Sequence, residues 1–143
     1  TGACPLCRVP CPKTNAEVLA QSRRHVENEV PEAITHLGIA YQLGYYGLVK
    51  SYKKAAKIYR RAVELGDVDA MESLAEMYGK GLGVKLDKKK AEELYRTAAD
   101  RGHAVAQNKL ACSLYSEQKF EEAFRYIVLA ANQGFTAGET NLG

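Results

Sequence analysis

"KKAAKIYRRAVELG", residues 53–66, decides the fold because it returns twice, as "KKAEELYRTAADRG" at 89–102 and "EEAFRYIVLAANQG" at 121–134. Aligned on Gly66, Gly102 and Gly134, the copies share Ala55, Ala91 and Ala123, then Tyr59, Tyr95 and Ile127, then Ala62, Ala98 and Ala130. Gly66 and Gly102 are 36 residues apart, and Gly102 and Gly134 are 32 apart. Self-similarity at such a period marks a solenoid or array. Within each copy apolar residues fall at i, i+3, i+4 and i+7, one face of an α-helix.

A second segment recurs ahead of the first: "AITHLGIAY" (33–41), "AMESLAEMY" (70–78) and "AQNKLACSL" (106–114). Leu37, Leu74 and Leu110 align, as do Gly38, Ala75 and Ala111, then Tyr41, Tyr78 and Leu114. Each unit is therefore a helix pair, A then B. Gly38, Ala75 and Ala111 stand where a large side chain would hold the pair apart. The glycine after each helix B suits a left-handed cap. The links "GYYGLVKSYKK" (44–54) and "GKGLGVKLDKK" (79–89) read as Gly-rich turns ending at the N-cap residues Ser51 and Asp87. The third unit has only "YSEQKFEEA" (115–123), which accounts for its shorter spacing. Residues 15–29 read as a lone, degenerate helix B, with Val18, Ser22 and His25 at the Ala, Tyr and Ala positions. Glu29 stands where the capping glycine would be, so a looser helix end is expected there. "GETNL" (138–142) begins a further copy, with Gly138 in place of the alanine.

These residues spell A-x3-L-G/A-x2-Y, then G-x-G-V-x2-D from Gly81 to Asp87, then A-x3-Y-x2-A-A-x2-G. On that pattern the chain, from about residue 17 to 143, resembles the Sel-one-like repeat family, relatives of the tetratricopeptide repeats. The resemblance implies an all-α, right-handed α-solenoid of antiparallel helix pairs that binds other proteins. The expected organisation is an irregular Cys-containing segment at 1–14, a lone capping helix at 15–30, repeats at 31–66, 67–102 and 103–134, and the start of another at 135–143.

In helix A, Ile34, Leu37, Gly38 and Tyr41 define the core face. At about 100° per residue the opposite face holds His36, Ile39 and Leu43. The equivalent positions in the next units are Ser73, Glu76 and Lys80, then Lys109, Cys112 and Ser116. If helix A lines the inner surface, as the family resemblance implies, these nine residues form the groove for a protein partner. Ordinary surface with scattered apolar residues is the alternative.

"ACPLCRVPCP" (3–12) is the one stretch outside the repeat with chemistry in it. It resembles the last ligand pair of a RING finger, the zinc module of many ubiquitin ligases. The resemblance implies that Cys4 and Cys7 are structural zinc ligands. It also implies that Pro5 and Arg8 meet a ubiquitin-conjugating enzyme and its conjugated ubiquitin. Cys11 has no place in that pattern. Two thiolates are half of a tetrahedral set, so tight zinc binding needs ligands outside this chain. A self-contained Cys4, Cys7, Cys11 and His25 site, a redox C-x-x-C and a metal-free tail remain open. Residue 1 is Thr, and "AGETNLG" stops in mid-pattern; the expectation is a piece of a longer protein.

The remaining features restrict function. Of four cysteines, three crowd the first eleven residues, unlike a secreted disulfide framework; an intracellular, cytoplasmic setting is expected. The best apolar run, "YIVLAA" (126–131), is far too short to span a membrane. Lys50, Lys53, Lys54, Lys57, Arg60 and Arg61, then Lys85, Lys88, Lys89 and Lys90, make a basic stripe on the B helices. It gives a rival reading as a nucleic-acid-binding repeat protein, which steep salt dependence would reveal. Interleaved Glu64, Asp87, Glu92, Glu93 and Asp100, and a net charge of only +3, favour a solvated face instead. "GKGLGVK" (79–85) has the glycines of a phosphate-cradling loop but lacks the preceding strand. His25, His36 and His103 share no ligand or triad spacing. No catalytic residue is expected in this chain, and any ubiquitin-ligase activity would belong to a longer parent.

Overall fold

In the computed structural model residues 14–134 are described, and among them every regular element is helical. The elements are α1 (Asn15–Glu27), α2 (Pro31–Leu43), α3 (Tyr52–Glu64), α4 (Val68–Lys80), α5 (Lys88–Asp100), α6 (Ala104–Ser116) and α7 (Phe120–Asn132), with one 3₁₀ turn at Tyr45–Gly47. Cys4, Pro5, Cys7, Arg8 and Cys11, and the further copy expected from 135 onward, lie outside the described residues. α1 is the lone B helix; α2–α3, α4–α5 and α6–α7 are the three A–B pairs. Each helix packs mainly on its neighbours in the chain, α3 on α4 and α5 on α6 joining one pair to the next. This is the α-solenoid of antiparallel pairs expected from the repeat, and its contacts run along one dimension.

Helix starts follow from their caps. Ser51 accepts a hydrogen bond from Lys54 N (3.2 Å) and Asp87 from Lys90 N (3.0 Å), as their positions before helix B suggest. Asp67 caps α4 through Ala70 N (3.1 Å), and the same carboxylate oxygen accepts from the buried hydroxyl of Thr35 on α2. α2 instead begins with Pro31, whose missing N–H costs nothing in the first turn. The linking turns share one further bond: Ser51 N donates to Tyr41 O and Asp87 N to Tyr78 O, each at 2.9 Å. The capping residue of helix B is thereby tied to the last turn of helix A.

The B-helix ends repeat a Schellman geometry. Gly66 N bonds Val63 O and Asp67 N bonds Ala62 O; Gly102 N bonds Ala99 O and His103 N bonds Ala98 O. Both glycines are left-handed, with φ of 87° and 92°. At the end of α1 the same pair of bonds forms from Glu29 N to Val26 O (3.0 Å) and from Val30 N to His25 O (3.1 Å). The end is therefore not looser: Glu29 is forced to φ 55°. A side chain there costs about 1–2 kcal/mol, of which glycine returns about 0.5–1 through its freer unfolded chain. Glu29→Gly is accordingly expected to stabilise the protein by about 0.5–1 kcal/mol. The Glu29–Arg61 pair that it removes is exposed and 3.9 Å long and is worth little. Urea unfolding reads the gain; an unchanged midpoint would mean that Glu29 is not strained.

The core is built mainly of alanine under a few large side chains. One cluster gathers Ile34, Ala55, Tyr59, Leu74 and Met77, and a second gathers Ala98, Leu110, Leu114 and Tyr126; Val63, Leu94 and Tyr95 pack on both. Tyr59 is fully buried. A Cβ on Gly38 would lie 2.6 Å from its ring, which is why the helix A position there is bare. Ile127, aligned with Tyr59 and Tyr95, is instead 42% exposed, while its neighbour Tyr126 is buried. The tyrosine position is filled between the A helices of consecutive units, and no described helix follows α7.

Candidate functional site

α2, α4 and α6 place the nine residues of the expected groove as follows. On α2, His36 is exposed, Leu43 is half-exposed, and Ile39 is half-buried and packs against the first core cluster. On α4, Ser73 and Glu76 are half-buried and Lys80 is exposed; on α6, Lys109 is half-buried and Cys112 and Ser116 are exposed. α4 and α6 are tied together across this face. Lys109 Nζ reaches from α6 to Glu72 and lies 3.7 Å from Glu76 Oε2, whose other oxygen accepts from Lys80 Nζ at 2.6 Å. Hydrogen bonding from Lys80, aided by the charge of Lys109, holds the Glu76 carboxyl below the usual carboxylate range. Cys112 carries a free thiol, and its carbonyl accepts from Ser116 Oγ at 3.0 Å.

Two tyrosines of the B helices lie under this network. The Tyr59 hydroxyl donates to Gln42 Oε1 at 2.7 Å. Burial pushes its pKa up to about 12; a hydrogen bond with Ser73 opposes the rise, and the charges of Glu72 and Glu76 add to it. Burial, with the same two carboxylates, also raises Tyr95, and Lys109 Nζ stands 5.7 Å from the centre of its ring. Both hydroxyls therefore stay protonated at neutral pH and serve as packing and hydrogen-bonding groups. Glu72 escaped the sequence reading. Its signal was a carboxylate pair four apart on one helix, Glu72 and Glu76, facing a lysine one unit later.

The strip thus offers an exposed histidine and a half-exposed leucine at the α2 end and an internally paired set of charges at the α4–α6 end. Such a surface can recognise shape and charge. Among the described residues no group of three or more His, Cys, Asp or Glu side chains is placed to hold a metal. His103 caps α6: its Nδ1 accepts from Ala106 N and its Nε2 lies 2.8 Å from Asp69. No described helix is long and apolar enough to cross a membrane. "GKGLGVK" is the α4–α5 connection, with Gly81 (φ 69°) as the left-handed cap of α4.

A family model described as Sel1 repeat matches residues 31–67, 68–103 and 104–135. Among solved structures, the chain is similar to a protective antigen of uropathogenic Escherichia coli strains, which displays an SLR fold, with 25% identity and a TM-score of 0.85 over 94% of this chain and 29% of that one. It is similar to a Sel1 repeat protein from Oxalobacter formigenes at 29% identity and a TM-score of 0.77, over 87% of this chain and 51% of that one. Helicobacter pylori cysteine rich protein B matches at 26% identity and a TM-score of 0.61, over 65% and 69% of the two chains. The chain therefore spans 29% and 51% of the lengths of the first two structures. No curated protein matches it.

Proposed function

The chain belongs to the Sel1 repeat family, whose members are protein-interaction scaffolds, and we propose that the strip along α2, α4 and α6 is where it holds its protein partner. The observation that carries this is the set of charges that ties α4 to α6 across the strip. Leu43 is half-exposed at one end, and the Lys109–Glu72–Glu76–Lys80 set fixes the other end in one arrangement before any partner arrives. Preorganised charge beside an exposed apolar side chain favours specific docking, because little side-chain entropy remains to be lost. Leu43→Arg combined with Ser116→Arg is expected to weaken capture of a specific partner at least tenfold, with an unchanged circular dichroism spectrum. Lys57→Glu, on the exposed B-helix face, is expected to leave capture intact. A partner held equally well by the groove variant sinks this reading. Capture of nucleic acid that collapses with rising salt supports the basic-face rival.

A finer reading concerns the residues ahead of the helices. We propose that in a longer parent Cys4 and Cys7 close a RING-type zinc site, so that a ubiquitin-conjugating enzyme is recruited beside whatever the repeats hold. The order Cys4-Pro5-x-Cys7-Arg8 supports it. Zinc there would be structural, and ubiquitin transfer would use no nucleophile of this chain. Three further ligand pairs directly upstream of Thr1, and two zinc ions per longer chain by metal analysis, are the expected findings. An upstream sequence without them removes the ligase reading and leaves the scaffold intact.

A further inference from the structure

Between α3 and α5, on the far side of α4 from the strip, lies a cleft of about 460 Å³. Leu74 and Tyr78 of α4 form its floor, with Val63 of α3 and Leu94 of α5 beside them. At about 100° per residue, Leu74 and Tyr78 stand nearly opposite Ser73, Glu76 and Lys80 around α4. Two cations converge on the Tyr78 ring. The Arg60 guanidinium carbon lies 5.9 Å from its centre and Nη2 donates to its hydroxyl at 3.1 Å, while Lys90 Nζ lies 5.1 Å from the same centre. Among the described ion pairs neither cation has a carboxylate.

The next unit supplies an internal comparison. Arg96 stands 36 residues after Arg60, and Glu122 stands 32 after Lys90, the repeat offsets. There the arginine pairs with Glu122 across the gap between α5 and α7, and the Tyr126 hydroxyl donates to Asp100 at 2.8 Å. The second gap is closed by its own counterion. The first presents two cations, an aromatic ring and an apolar floor, and neither cation is ion-paired with Glu64 or Glu93, the carboxylates that line the same cleft.

We propose that this cleft docks an acidic peptide segment of a partner protein. An Asp or Glu carboxylate sits between Arg60 and Lys90, and an adjacent apolar side chain rests on Val63, Leu74 and Leu94. A guanidinium offers a planar fork that matches a carboxylate. Glu64 and Glu93 line the same cleft about one turn further along their helices. They would repel a continuous polyanion, so an isolated carboxylate beside an apolar residue is preferred to nucleic acid. This site is independent of the A-helix strip, and either can fail without the other.

The test is a titration of ¹⁵N-labelled protein with nonapeptides that carry a central Glu-Leu in degenerate flanks, followed by backbone amide shifts. Saturable shifts centred on Arg60, Tyr78 and Leu94 are expected, with at least tenfold weaker binding when the pool carries Gln-Leu. Lys90→Glu supplies the missing carboxylate from within, as Glu122 does one unit on. It is expected to weaken the peptide at least tenfold while the melting temperature holds or rises. Should that variant unfold, Arg60→Gln gives the same loss by removing the fork. Leu43→Arg in the strip should leave this binding unchanged. The proposal is overturned if the cleft amides do not shift up to millimolar peptide, if the Gln-Leu pool binds equally, or if a dT12 oligonucleotide shifts the same amides at lower concentration.

Discussion

Tyr59→Ala is expected to cost about 3–5 kcal/mol of stability, the range for a fully buried aromatic truncated to alanine. The ring has no exposed surface and stands between α2 and α4. It faces Gly38, a residue with no side chain to lean into the space that would open. The hydroxyl's bond to Gln42 (2.7 Å) is lost with it. Tyr59→Phe separates the two contributions. It keeps the ring and removes the hydroxyl's bonds to Gln42 and Ser73, so about 1–3 kcal/mol is expected. Because each helix packs mainly on its neighbours in the chain, the loss falls on the junction between the first A–B pair and the second. The urea transition of Tyr59→Ala should therefore broaden, with α1–α3 released before α4–α7, rather than shift as one step. A cost below about 1 kcal/mol, with a single sharp transition, would mean that the junction is held elsewhere.

Helix order, pairing and turns were legible because each is written two or three times. A position that is small in three copies, such as Ala55, Ala91 and Ala123, or apolar in all, such as Leu37, Leu74 and Leu110, is placed by repetition rather than by propensity. Properties belonging to a single copy were harder to read. Thr35 and Gln107 are polar yet buried because each finds a partner outside its own helix: Asp67 for the first, Ala99 O and Gln133 for the second. A periodic pattern that sorts residues as apolar or polar cannot contain those partners. Ile39 was read as groove lining from its angle on α2, yet it packs on the core. The buried arc of a helix with neighbours on both sides is wider than the seam that four core residues define. Glu29 was read as a defect, whereas the turn keeps its hydrogen bonds and places the strain in one dihedral angle. The charge network of the strip needed Glu72 and Lys109 brought together from 37 residues apart, and only the stacking of α4 on α6 does that.

Gly83→Ala is expected to cost about 2–4 kcal/mol, from a left-handed backbone and a steric clash together. Gly83 has φ 69°. A Cβ built on it would fall 2.5 Å from the carbonyl oxygen of Tyr52 and 2.6 Å from Lys53 N. Those are backbone atoms in the capped first turn of α3, so no side chain can swing aside to admit a methyl group. The α4–α5 turn would have to lift, and Leu82 and Val84, which pack on the first core cluster, would lift with it. Gly81→Ala in the same turn is the control. Its φ is also 69°, but the nearest atom to its Cβ would be that of Leu86 at 3.4 Å. It should show only the net conformational cost, about 0.5–1 kcal/mol. The difference between the two variants measures the close approach itself. It also decides what the glycines of "GKGLGVK" are for. A loop built to cradle phosphate would lose phosphate affinity on substitution and keep its stability. A loop whose glycine admits the backbone of the preceding helix loses stability in a solution that contains no phosphate, and that is the result expected from urea unfolding in a phosphate-free buffer.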